Sequence, residues 1–158
     1  MAPVLFLLAV SLVSLGVDPA DGELLNNPGF NHDADGNLLP DGWSIGANAA
    51  GWRETTYLSR DYEIFSKPGA YVLATQPVRL KPGQRYTLEL RLKGSGGGLG
   101  GVLILHGKDK PTREMPILWN IDPTDTYERY AATFVAPNPV ASLYLYNVAR
   151  QGTVCYDH

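Results

Sequence analysis

Between a Lys-Pro-Gly-Gln turn and a run of glycines, Tyr86, Leu88, Leu90 and Leu92 alternate with Thr87, Glu89, Arg91 and Lys93. A period of two belongs to a strand with one face in a core and the other in water, and a helix cannot gather such a set on one side. Lys81 to Gln84 read as a type II turn, since Pro82 supplies the fixed φ and Gly83 the positive φ of that geometry. Gly94 to Gly101 is almost all glycine, but it lacks the Gly-Lys-Ser/Thr ending and the following helix of a phosphate loop. An apolar strand, Val102 to Leu105, follows it instead. The same reading makes strands of Tyr130 to Val135, Leu143 to Tyr146 and Thr153 to Tyr156, with short apolar pieces at Tyr71 to Ala74 and Val78 to Leu80. Beyond the N-terminal stretch no segment sustains a 3.6-residue apolar period. The expected fold is all-β, two antiparallel sheets packed face to face as a sandwich.

Size and charge narrow the function. A chain of 158 residues has room for one core, and its 17 glycines and 12 prolines suit a sandwich with many turns. The formal net charge of −3, with no cluster of Lys and Arg, removes the basic face that nucleic-acid binding needs. From Val4 to Val17 the chain is apolar or small and uncharged, and Pro19 then stops any helix. That stretch falls short of the roughly 20 residues that cross a bilayer. It reads as a signal peptide, residues 1–22, cut after Ala20-Asp21-Gly22 so that the mature domain, 23–158, begins near Glu23 with no membrane span. Ser14-Leu15-Gly16 is the rival cleavage site. Secretion, or a periplasmic or cell-surface location, follows. Cys155 is the single cysteine, so no internal disulfide staples the domain. In Gly152 to Asp157 it reads as a small buried hydrophobe of a strand.

Catalytic patterns are sparse. His32, His106 and His158 show no metal-ligand or triad spacing, and carboxylate pairs such as Asp33 with Asp35 or Glu54 with Asp61 read as solvated loop acids. Asn31 to Asn37 is more specific. Asn31, Asp33 and Asp35, with Gly36 next, match the first half of a calcium loop, where alternate oxygens converge and a glycine allows the sharp turn. Gly42 stands where a closing Glu would be, and Asp41 offers a late oxygen. An Asx-rich turn with no metal is the alternative.

Four segments in order, NPGFN (Asn27 to Asn31), LPDGW (Leu39 to Trp43), KPGQRYTLELRLKG (Lys81 to Gly94) and TYERYAATFVAP (Thr126 to Pro137), resemble the carbohydrate-binding modules of families 4, 9 and 22. Those are galactose-binding-domain-like jelly rolls, and the resemblance covers nearly all of the chain after the leader. It implies a non-catalytic sandwich that holds a polysaccharide or oligosaccharide for an enzyme elsewhere in the protein. In the related modules the last strand runs on through a second acidic residue, where His158 stands here, so a longer protein with a downstream domain is expected. Many related modules also carry a structural calcium ion near the first and last strands, and the matching ligand positions are Asn31 and Asp157.

Sugar recognition needs flat apolar rings for the C–H face of a pyranose and planar polar groups for its hydroxyls. Trp43, after a Pro-Asp-Gly turn, reads as core. Trp52, between Gly51 and Arg53, is the platform candidate. Strand parity turns Glu89 and Arg91 away from the core, and likewise Tyr144 and Tyr146 opposite Leu143 and Leu145. If these strands share a sheet, the four form one cleft, with Trp119 walling it or plugging the core. Three functions remain open. A secreted glycan-binding module agrees with leader, fold and resemblance; a structural or interaction sandwich would show a polar, featureless face; a small polysaccharide hydrolase or lyase would need two acids, or a His and a Tyr, in one cleft.

Overall fold

The computed structural model describes residues 11–14, 24–46, 50–54, 62–67, 69–107 and 113–157. His158, and the expected leader apart from Ser11–Ser14, lie outside them. The described residues form eleven strands: β1 (Ser11–Ser14), β2 (Ser44–Ile45), β3 (Ala50–Glu54), β4 (Tyr62–Ser66), β5 (Val72–Arg79), β6 (Arg85–Ser95), β7 (Gly100–His106), β8 (Arg113–Ile121), β9 (Glu128–Val135), β10 (Val140–Asn147) and β11 (Thr153–Asp157). They form two antiparallel sheets, and no helix occurs among the described residues. One sheet runs β3-β4-β11-β6-β9, the other β2-β5-β10-β7-β8. Strand β1 pairs with Tyr86–Glu89 of β6, on the edge that β11 occupies at Arg91–Ser95, so β1 and β11 follow one another end to end opposite β9.

The alternation read in β6 holds. Tyr86, Leu88, Leu90 and Leu92 are buried and meet Val154 and Tyr156 of β11 and Ile64 of β4 in one core. The other sheet supplies Ala74, Val78, Val102, Ile104, Leu143 and Leu145 to the same core. The Lys81–Gln84 turn closes with Gln84 N–H donating to the Lys81 carbonyl, and Gly83 takes φ 79° as type II geometry requires. The two pieces expected around Gln76-Pro77 are one strand, β5. Pro77 fits because β2 pairs only with Ala74 and Thr75, leaving the ring at an open edge where no donor is needed. Gln76 points inward opposite Leu143 and is buried. Its amide accepts from Asn26 N–H (3.0 Å) and donates to the carbonyls of Asn26 (2.7 Å) and Gly42 (3.1 Å), tying down both ends of the first loop. Trp43 is core as expected, edge-on to Phe30 at 5.1 Å with its indole N–H on the Asn27 carbonyl.

The Tyr156 side chain carries a polar group across the core. Tyr156 extends from β11 to the other sheet, where its hydroxyl accepts from Gly101 N–H (2.8 Å) and lies within donating reach of the carbonyls of Gly101 (2.8 Å) and Tyr146 (2.5 Å). Both partners sit at irregularities. Between β7 and β8 the register slips across Gly101, and between β10 and β5 it slips at Leu145/Tyr146. A bulge leaves backbone groups without ladder partners, and this hydroxyl serves them. Tyr156→Phe keeps the packing but strands those groups, so denaturant unfolding should show a loss of about 1–3 kcal/mol; an unchanged midpoint would mean the bulged backbone is satisfied some other way.

Candidate functional site

The irregular register determines the outer face of the β2-β5-β10-β7-β8 sheet. Gly100 pairs with Ile121 and Val102 with Leu118, so Gly101 faces two residues, Trp119 and Asn120. Asn120 absorbs the extra residue with a left-handed φ of 55°. The bulge turns Trp119 outward, and its ring lies down on the Gly101 backbone. A Cβ at Gly101 would stand 2.8 Å from the ring and 2.7 Å from Val148, so only glycine leaves room for it.

Tyr146 is directly opposite Gly101, and Tyr144 is two residues along the same face. Trp119 meets Tyr146 edge-on at 5.5 Å, Tyr71 meets it edge-on at 4.7 Å, and Tyr144 stacks beside it at 6.1 Å. Tyr146 is the buried hub. Trp119, Tyr144 and Tyr71 are half-buried and give their remaining faces to solvent. The Arg150 guanidinium lies 4.5 Å over the Tyr71 ring. Burial first, then the charge of Glu114 and the neighbouring Tyr71 and Tyr144, push the Tyr146 hydroxyl up to about 12, so it stays a neutral donor at physiological pH. Rings with hydroxyls at their edges can stack on apolar sugar faces and bond to hydroxyls.

The expected residues divide between two faces. Trp119, Tyr144 and Tyr146 come together, whereas Glu89 and Arg91 do not join them, because β6 and β10 belong to different sheets. Glu89 pairs with Arg129, and Arg91 pairs with Asp157 at 3.8 Å and lies over the Tyr127 ring, on the outer face of the β6 sheet. Trp52 stands apart as well. Its register opposite Ile64 turns it to the inner side, where it stacks on Tyr62 at 4.6 Å and donates its indole N–H to the Phe30 carbonyl at 2.7 Å.

In the first loop Asp33, Asp35 and Asp41 bring one carboxylate oxygen each to within 4.8 Å of one another. Each carboxylate also accepts from the loop itself. Asp33 bonds Asn37 and Leu38 N–H, Asp35 bonds Asn37, and Asp41 bonds Ala34 N–H. Three carboxylates with lone pairs to spare suit a hard, oxygen-seeking cation. Asp157 is outside this group, held by Arg91, and Asn31 uses its backbone N–H on the Asn27 side chain.

In the sequence Tyr71 reads only as the start of the apolar piece Tyr71 to Ala74, because so short a piece shows no alternation that sets which face its ring takes; it directly precedes β5. A glycine directly ahead of an apolar strand, at Gly101, was the only available sign that a ring lies flat there.

No protein-family model matches the chain, and no curated protein matches it. Solved structures do resemble it. A family 4 carbohydrate-binding module aligns over 84% of this chain and 95% of its own, at 20% identity and TM-score 0.57. The CBM22-1 xylan-binding domain of Paenibacillus barcinonensis Xyn10C aligns over 82% and 87%, at 8% identity and TM-score 0.59. The CBM22-1-GH10 modules of Clostridium thermocellum endo-1,4-beta-D-xylanase 10B, solved with xylohexaose, align over 74% of this chain and 25% of theirs, at 14% identity and TM-score 0.53. The chain has the jelly-roll sandwich fold of these carbohydrate-binding modules.

Proposed function

We propose that this chain is a non-catalytic carbohydrate-binding module of an exported protein, and that it holds a polysaccharide on the outer face of the β2-β5-β10-β7-β8 sheet. The observation that carries this reading is the convergence of Trp119, Tyr144 and Tyr71 around the buried hub Tyr146 on one sheet face. A β-1,4-linked chain is the expected ligand class; the xylan-binding neighbours support it, and their attachment to a xylanase supports an accessory role beside an enzyme domain. Each sugar hydroxyl gives up water to bond, for a net gain of only about 0.5–1.5 kcal/mol, so stacking carries much of the affinity.

Affinity electrophoresis against soluble β-glucans, xylans, mannans and pectins should retard the parent on at least one β-linked chain. Trp119→Ala should weaken that binding by about 2 kcal/mol, the scale of a central anchor, and Tyr144→Ala should also weaken it. Glu89→Gln, on the other sheet, should bind as the parent does. A folded parent that retards on none of them would turn the reading to a structural spacer.

Residues 1–22 act as a secretory leader, and β1 leaves the β6 edge when they are removed. N-terminal sequencing of secreted protein should begin near Glu23, and material that keeps Met1 would refute this. Asp33, Asp35 and Asp41 would hold a calcium ion that braces the loop and takes no part in chemistry. At a hundredfold excess of calcium over Kd, thermal unfolding should gain about 2.7 kcal/mol relative to chelator. Asp33→Asn should abolish that gain and Asp157→Asn should keep it; identical melts with calcium and chelator would remove the metal from the account.

A further inference from the structure

Arg150 stands where the ring cluster ends. Across the sheet order β8-β7-β10-β5 the cluster forms a row, from Trp119 over Gly101 to Tyr146 and on to Tyr71, which directly precedes β5. The turn from β10 to β11 carries Arg150 to the Tyr71 end of this row, where its guanidinium lies 4.5 Å over the ring.

Both residues are held by one anchor, the fully buried Asn147. Its N–H donates to the Tyr71 carbonyl (2.9 Å) and its carbonyl accepts from Arg150 N–H (3.2 Å). Its side-chain amide accepts from Leu99 N–H (3.3 Å) and donates to the Gln151 carbonyl (3.0 Å) and the Ser66 hydroxyl (3.3 Å). The Arg150 carbonyl in turn accepts from Gly69 N–H (3.1 Å). The backbone beneath the guanidinium is therefore bonded on both sides, and the side chain starts from a fixed point.

That backbone is in the left-handed region, at φ 57°. Glycine enters this region without steric cost and asparagine tolerates it, whereas a long side chain is strained there. Gly152, in the same turn, meets a φ of 59° with glycine. Strain of this kind persists where the side chain serves a purpose beyond folding.

The Arg150 charge meets a ring instead of an acid. On the other sheet Arg129 meets Glu89, Arg91 meets Asp157, and Arg53 and Lys93 share the buried Glu63, which also accepts from the Tyr127 hydroxyl. Among the described residues no carboxylate pairs with Arg150, which is exposed. Glu114, whose charge bears on the Tyr146 hydroxyl, is in register with Leu105, toward the end of β7 away from Gly101. A guanidinium stacked on a ring keeps the donors along its edge free, and its planar fork matches the two oxygens of a carboxylate. A cation held in place before binding loses little entropy when its partner arrives.

We propose that Arg150 is a specificity-determining residue of the aromatic face, and that it selects β-1,4-linked chains bearing a uronic acid by pairing with the carboxylate at the Tyr71 end of the row. This rests on the aromatic face being the glycan site; Arg150 decides which glycan that face prefers.

Calorimetry on the full chain tests it with two matched pairs: xylohexaose with and without a glucuronic acid branch, and cellohexaose with its C6-oxidised oligoglucuronate. The first pair presents the carboxylate on a branch and the second within the chain. The acidic member of at least one pair should bind about tenfold more tightly than its neutral counterpart, the effect of one charge-assisted hydrogen bond, and the preference should shrink as salt is raised. Arg150→Asn, which suits the left-handed φ, should unfold at the temperature of the parent or higher, remove the acid preference and leave neutral binding in place. Arg150→Gln is the second variant and should remove the same preference if Arg150→Asn does not fold. Equal affinities within both pairs, a preference that survives both variants, or an equal loss of acidic and neutral binding with a lowered unfolding temperature would each overturn the proposal and leave the glycan face standing. A parent that binds none of the four sugars would overturn the proposal and the reading beneath it together.

Discussion

The Tyr156 hydroxyl is the interaction on which the candidate site depends. It spans the core from one sheet and supplies hydrogen bonds to Gly101 and Tyr146 on the other, where bulges interrupt the ladders. A register slip costs backbone hydrogen bonds, and buried groups left unpaired are expensive. One phenol serves both irregular places. The bulge in turn sends Trp119 outward over Gly101, and the opposite residue is Tyr146, the hub of the ring cluster. A single core side chain thus sets the shape of the surface above it.

The two outer faces are built from different chemistry, although both sheets follow the same alternation. On one, neutral rings support each other edge to face, an arrangement worth about 0.5–1.5 kcal/mol per pair beyond burial. On the other, a nearly buried carboxylate organises arginine, lysine and tyrosine around itself. Removing Glu63 there would leave two cations without their anchor, so the network behaves as a unit, not as separate surface pairs.

Much of the fold was legible in the chain because period-two alternation is a local property. The Leu88-Leu90-Leu92 set in β6 and Leu143-Leu145 in β10 both point inward as read. Sheet membership was not legible. Whether β6 neighbours β10 is decided by long-range pairing, and the two lie in opposite sheets, which separates Glu89 and Arg91 from Tyr144 and Tyr146. Trp52 illustrates a second limit. No alternation marks β3 around it, and only the register with Ile64 reveals that its ring turns inward to hold the Phe30 carbonyl. The spacing marked Asp33, Asp35 and Asp41 as loop oxygens, and their carboxylates lie together, while Asp157 stands beside Arg91 on the other sheet.

The proposed function puts a glycan chain on the aromatic face. Its most direct test is NMR titration of the protein, unaltered in sequence, with a β-1,4-linked oligosaccharide such as xylohexaose, following backbone amides and the tryptophan indole N–H signals. Shifts should concentrate at Gly101, Trp119, Tyr144 and Tyr146, with the Trp119 indole moving and the Trp43 and Trp52 indoles, bonded to backbone carbonyls, staying in place. Saturable shifts centred on β6, β9 and β11, with the Trp119 indole unmoved, would contradict it.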